Sequence, residues 1–212
     1  MQDLKNLNYL LPKTQVVLQT LIKECPFLKK YVLVGGSALA LHVKHRKSED
    51  LDFFTYEDSF DKKEILEYIS SFSSVEIINQ SDEQIDVLLD GVKVTFFNAN
   101  WSFLKPEKID KFNLSSLKAI ASMKVNVLFL RAKYRDYYDM YFLSKQMRLR
   151  EIFKQGLAIV DGLTMKLFVV SLLYIDDIED DDIDYLEPEE KIGKEQIRDY
   201  FQKQIEKLNF SK

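Results

Sequence analysis

The chain has 212 residues, 46% of them hydrophobic and 30% charged, with 6 Gly and 4 Pro, a composition that supports a packed core and excludes disordered, collagenous and low-complexity classes. Its one cysteine, Cys25, rules out an internal disulfide and has no partners for a structural zinc site, so a reducing, cytoplasmic setting is expected. The longest apolar run, residues 167–175 broken only by Ser171, falls well short of the ~20 residues of a membrane span, and residues 1–13 lack a signal-peptide layout, so no membrane partner is expected.

In chain order, residues 10–24 read as an amphipathic helix that tolerates Pro12 in its first turn. Residues 31–34 form a short apolar strand running into Gly35 and Gly36, after which Ser37 is expected to cap a helix over 38–43. A polar loop leads to a strand at 51–55, then a helix at 61–72. Strands are expected next at 74–78, 83–89 and 92–98, the last two joined by Asp90-Gly91, a strong hairpin signal. Residues 100–111, with Pro106, fit a linker. Helices are then predicted at 115–131, 134–147, 149–160, 163–175 and 191–208, with Gly156 and Gly162 weakening the middle of the series. The shift from β-branched runs to 3.6-residue periodicity predicts two domains, an α/β domain at 1–110 and a helical bundle at 111–212.

The net charge of −4 conceals an asymmetry. Residues 176–190 carry ten acids and no base, which leaves thirty bases against twenty-four acids, or +6, for the rest. A mildly basic body can meet a polyanion despite the acidic balance. The stretch itself reads as a mobile, solvated loop, or as a strap that competes with nucleic acid or attracts a basic partner.

The chemistry concentrates in GGSALALHVKHRKSEDLDFF, residues 35–54. Two glycines permit a tight turn and close approach to an anion, while Ser37 and the N–H groups of the next helix supply donors at the positive end of its dipole. Asp50 and Asp52, two apart on a strand, are expected to project from one face about 6–7 Å from each other. At ~7 Å two carboxylates repel by about 2–2.5 kcal/mol at an effective dielectric near 20, and a shared divalent cation reverses that sign.

This segment resembles the nucleotidyltransferase superfamily pattern of hG(G/S), about a dozen residues, then DxD. It is most similar to the AbiEii/AbiGii toxin family, whose members look like GGTALALxxxHRxSxDLDFF, matched here by residues 35–41, His45, Arg46, Ser48 and residues 50–54. A second block resembles AxxKxNALxxRxxxKDxxDLYxL and keeps Ala121, Lys124, Asn126, Leu128, Arg131, Asp136, Asp139, Tyr141 and Leu143. The resemblance implies an α+β fold: a polymerase-β-like nucleotidyltransferase domain, a mixed sheet with flanking helices, followed by a helical bundle. It implies Mg²⁺ or Mn²⁺ at Asp50 and Asp52, phosphate contacts from Gly35, Gly36, Ser37, Arg46 and Lys124, and catalytic roles for Asp50, Asp52, Lys124 and Asp139. It also implies an NTP substrate, a nucleic-acid acceptor with tRNA as a candidate, and a cognate antitoxin.

The sequence departs from the superfamily at Thr95, where a third carboxylate is expected. The Asp90-Gly91 hairpin sets Asp86 directly opposite Thr95 on the same sheet face, so Asp86 is a candidate to supply that carboxylate to the metal, with an ordinary strand Asp as the alternative. Arg46 either reaches a phosphate or clamps the loop to an acid such as Glu49. His42 is read as packing, and the aromatic residues of 134–142 as core rather than a base-stacking platform. Two other functions compete with transfer to nucleic acid: a catalytically silent nucleotide- or partner-binding protein with this fold, and a small-molecule nucleotidyltransferase.

Overall fold

A computed structural model describes residues 4–179 and 182–208. It divides into two compact units, Met1–Ser116 and Leu117–Lys212.

The first unit is built on a mixed six-stranded sheet. Helix α1 (Pro12–Glu24) starts with proline in its first turn and leads to strand β1 (Tyr31–Val34). Helix α2 (Gly35–Val43), strand β2 (Leu51–Thr55) and helix α3 (Lys62–Ile69) come next. Strands β3 (Val75–Gln80), β4 (Gln84–Leu89), β5 (Val92–Asn98) and β6 (Asn113–Leu114) complete the unit. The spatial order is β3-β4-β5-β2-β1-β6, with β1–β2, β3–β4 and β4–β5 antiparallel and β2–β5 and β1–β6 parallel.

Alternation sets the two faces of this sheet, since Leu51, Phe53 and Thr55 of β2 are buried while Asp52 and Phe54 are only half-buried. Phe53 stacks on Phe96 with ring centres 5.6 Å apart, and Phe27 and Tyr31 meet Phe96 edge-on, each ring adding about 2–3 kcal/mol of apolar burial. Asp90 and Gly91 both hold positive φ, 48° and 81°, as a two-residue hairpin requires. The resulting register pairs Leu89 with Val92 and Asp86 with Thr95, as the dipeptide predicts.

Two local expectations are corrected. Ser37 does not cap α2, which already starts at Gly35 with Val34 at the N-cap position. The expected linker also contains order: a 3₁₀ turn at Ser102–Leu104, and β6 beyond it, whose Asn113 amide donates to the carbonyls of Lys29 (3.0 Å) and Tyr31 (3.3 Å).

The second unit holds α4 (Leu117–Leu130), α5 (Tyr134–Gln146), α6 (Leu149–Gly156), α7 (Met165–Leu173) and α8 (Lys194–Glu206). Gly156 has a packing role, because a Cβ there would lie 2.7 Å from Val125 Cγ1 and 2.9 Å from Leu163 Cδ2. Its absence lets α6 settle on α4.

The acidic stretch is tied down at its C-terminal end. Asp180 and Asp181 lie outside the described residues, but the chain at Glu190 and Ile192 is tied to α5. The Tyr138 hydroxyl donates to the Glu190 carbonyl (3.0 Å), the Tyr134 hydroxyl donates to the Ile192 carbonyl, and Lys145 pairs with the Glu190 carboxylate at 2.8 Å. Asp184 pairs with Lys191 and Asp176 with Arg198, so local cations meet several of these acids. Tyr137 and Tyr138 are fully buried, which makes the aromatic face of α5 core and strap anchor. Among the described residues no helix is long and apolar enough to cross a membrane.

Candidate active site

The turn between β1 and α2 is the centre of the first unit's site. Gly35 has φ +69°, a left-handed conformation that strains any residue with a side chain. A Cβ on Gly35 would overlap Oδ2 of Asp52 and lie 3.3 Å from its Cγ. The glycine thus lets the start of α2 and the Asp52 carboxylate occupy adjoining space. Val34 at the N-cap offers no side-chain acceptor to the first turn, so the positive end of the helix faces the region where an anion would be held.

Gly36 serves a second close approach, since a Cβ there would lie 3.0 Å from Nη2 of Arg46 and 3.4 Å from Oγ of Ser48. Arg46 is 4% exposed, and its Nη1 donates to the Lys47 carbonyl at 2.8 Å. That bond ties Arg46 to the backbone of its own loop. The loop is stitched further to the N-terminal segment: Leu11 N–H donates to the Ser48 carbonyl (2.9 Å), Ser48 N–H to the Tyr9 carbonyl (3.0 Å) and the Thr14 hydroxyl to the Glu49 carbonyl (2.8 Å). No motif announces those contacts.

Ser37 is 1% exposed and its hydroxyl donates to the Asp50 carbonyl. The expected phosphate ligand is therefore engaged inside the fold, where it fixes the backbone of Asp50. Asp50 itself sits one residue before β2 and, like Asp52, is half-buried. Two carboxylates beside a glycine-lined helix start offer an all-oxygen donor set suited to a hard divalent cation.

Asp52 is paired across the sheet with Thr95, and Thr95 with Asp86. The Thr95 hydroxyl donates to Asp86 Oδ1 at 2.7 Å, while Gln84 and Asn79 amides donate to Oδ2 at 2.7 and 3.3 Å. Asp86 is thus held two strands from Asp52, a separation of about 10 Å between backbones. Among the described residues no three His, Cys, Asp or Glu side chains gather as a metal-binding set. In this arrangement Asp86 anchors Thr95.

The second unit keeps its own polar cluster. Lys124 Nζ lies 3.5 Å from Asp136 Oδ1 and contacts Asp139 Oδ2, with both carboxylates fully buried and the lysine 5% exposed. Arg131 forks onto Asp136 at 3.0 and 3.1 Å, and the Lys133 N–H adds a 3.2 Å bond. The family pattern has Lys124 holding phosphate and Asp139 acting in catalysis. In the structure the two side chains contact each other inside the helical unit.

His42 places Nε2 2.7 Å from the Ser115 carbonyl, in keeping with a structural role. Cys25 is buried and desolvation pushes its thiol up to about 12, which removes it as a nucleophile at neutral pH.

Gly35→Ala should lose about 1–3 kcal/mol of stability from the left-handed backbone, measured by urea unfolding. It should also lose most transfer activity, because the new methyl displaces the Asp52 carboxylate. Wild-type turnover in that variant would contradict the close approach.

Residues 16–110 match the family described as "Nucleotidyl transferase AbiEii toxin, Type IV TA system". An uncharacterized protein of Aquifex aeolicus (strain VF5) is 32% identical over 182 residues, which span 81% of this chain and 88% of that protein. Among solved structures, an H. pylori protein is 19% identical with a TM-score of 0.53, covering 98% of this chain and 99% of its own. The antibiotic-resistance factor ANT(2'')-Ia is 14% identical with a TM-score of 0.54, covering 70% of this chain and 92% of its own. These two likenesses concern the fold, a nucleotidyltransferase sheet with flanking helices and a helical region after it. The chain belongs to the AbiEii nucleotidyltransferase family.

Proposed function

We propose that the protein transfers a nucleoside monophosphate from an NTP to a nucleic-acid hydroxyl, with tRNA as the first acceptor to test. The proposal extends to a toxin role beside a cognate antitoxin in the cytoplasm. The observation that carries it is the close approach of Asp52 to left-handed Gly35 at the start of α2, which sets a carboxylate suited to a metal beside a helix end suited to phosphate.

In this reading Asp50 and Asp52 hold Mg²⁺ or Mn²⁺, which when bound supplies positive charge against the triphosphate. Backbone N–H groups at Gly35 and Gly36 bind phosphate oxygens, Ser37 fixes Asp50, and Arg46 holds the loop behind Gly36. Catalysis of this kind rests mainly on positioning and electrostatic stabilisation.

The test is incubation with each α-labelled NTP, Mg²⁺ and total cellular RNA, followed by separation of RNA from protein. Label in a discrete RNA band, abolished by EDTA, is the expected result. Label in protein or a small molecule would overturn the acceptor, and Mg²⁺-dependent NTP binding without any transfer would overturn catalysis.

A further inference from the structure

We propose that Thr95 and Asp86 form a hydroxyl–carboxylate relay that receives the proton of the attacking acceptor hydroxyl. The inference rests on the transfer reading above and concerns a step that Asp50 and Asp52, assigned to the metal, leave without a base.

The relay is laid out across three adjacent strands. Asp52 on β2, Thr95 on β5 and Asp86 on β4 occupy one cross-strand row, and residues paired this way share a sheet face. The middle member is a hydroxyl whose proton is committed, because a carboxylate only accepts and the 2.7 Å bond to Asp86 Oδ1 makes Thr95 the donor. Its lone pairs therefore remain for a third group. Asp86 is fixed from the other side by Gln84 and Asn79, whose amides donate to Oδ2, so Oδ1 stays turned toward Thr95.

Burial gives the arrangement a cause beyond packing. Thr95 is 6% and Asp86 7% exposed. A carboxylate taken out of water carries a penalty of several kcal/mol, which good hydrogen bonds at best offset. Apolar residues at these positions would pack the sheet without that penalty. A buried Thr–Asp pair beside a metal-binding Asp places a proton path where the superfamily pattern has a carboxylate.

In the transfer step the acceptor hydroxyl oxygen forms a bond to the α-phosphorus while the bond from that phosphorus to the pyrophosphate oxygen breaks, and pyrophosphate leaves with the electron pair. The acceptor proton passes to Thr95 Oγ1 as the proton already on Oγ1 passes to Asp86 Oδ1. Thr95 touches the reacting hydroxyl, whereas Asp86 acts through Thr95 and is a positioning residue that stores the proton.

The experiment compares Thr95→Val, Thr95→Ser, Asp86→Asn and the Thr95→Val/Asp86→Asn pair in the full chain. It tracks pyrophosphate release with NTP, Mg²⁺ and total cellular RNA, and separately the Mg²⁺-dependent binding of a non-transferable α,β-methylene NTP by calorimetry. The relay predicts a fall in kcat of about 10²–10³-fold in Thr95→Val and in Asp86→Asn, the range of a lost general base. Analogue binding should stay within about twofold, Thr95→Ser should recover to within about fivefold of wild type, and the double variant should be no slower than the worse single one. Wild-type kcat in Thr95→Val overturns the relay, as does a Thr95→Ser variant that fails alongside it. A loss of analogue binding equal to the loss of rate also overturns it, since that marks a purely structural role. If wild type neither binds the analogue nor releases pyrophosphate, the transfer reading itself falls, an outcome separate from a dead Asp52→Ala beside a fully active Thr95→Val.

Discussion

Asp52→Ala is expected to lower transfer by at least about 10³-fold, equivalent to about 4 kcal/mol of lost transition-state stabilisation, while the protein stays folded. The activity loss comes from position, because Asp52 is the carboxylate that lies against Gly35 and begins the row leading through Thr95 to Asp86. On the proposed reading Asp50 and Asp52 would hold the divalent cation, and removing Asp52 would take away charge that balances it and weaken its support of the triphosphate. The fold should tolerate the change. Asp52 is half-buried and lies on the less buried face of β2, so alanine costs local contacts without opening the core. The measurement is pyrophosphate release alongside thermal unfolding with and without Mg²⁺. Wild-type protein should gain stability with Mg²⁺ and NTP by mass action, and Asp52→Ala should not. Full turnover in the variant would remove Asp52 from the site.

Most of the fold is visible in the residues themselves. Strands at 31–34, 51–55 and 92–98 appear where β-branched runs end at glycine or polar turns, and five helical segments are legible in the 3.6-residue periodicity. The Asp90-Gly91 dipeptide also gives the register that puts Asp86 opposite Thr95. The features that periodicity and turn signals miss have local causes. Strand β6 is only two residues, Asn113 and Leu114, with no alternation to detect, and it exists because Asn113 bonds the backbone at the entry to β1. The start of α2 at Gly35 is hidden because glycine has poor helix propensity, and only the close approach of Asp52 explains it.

The site shows the same division. Residue types and spacing point to Asp50, Asp52 and the glycine pair, but spacing cannot say whether a charged side chain faces a ligand or another side chain. Ser37, Arg46 and Lys124 are all polar residues in the right motifs, and each is nonetheless satisfied within the fold. For Lys124 a signal is present in the sequence: it lies in the largely apolar, buried run of residues 119–125, where a lone lysine must be buried with its counter-charges or break the helix packing.

Lys124→Met tests that last point, and it should destabilise the protein by about 3–5 kcal/mol, the usual effect of removing one partner from a buried ion pair. The variant takes an ammonium from beside two carboxylates that are both 0% exposed. Arg131 still answers Asp136 with two bonds, while Asp139 loses its contact with the Lys124 ammonium. On a chain of this size the unfolding midpoint should drop by roughly 10 °C or more. Adding Asp139→Leu should then restore much of the loss, because a well-packed apolar pair of similar volume replaces a buried ion pair at little or no net cost. The diagnostic quantity is the coupling between the two changes, read from urea unfolding of wild type, both single variants and the double. A wild-type midpoint in Lys124→Met, or losses that simply add in the double variant, would show that the ammonium is not held by Asp139 and is free for a ligand. With the expected strong coupling, a double variant that regains both stability and turnover assigns Lys124 and Asp139 to holding the helical unit together. A double variant that is stable but inactive assigns the same pair a part in the chemistry as well.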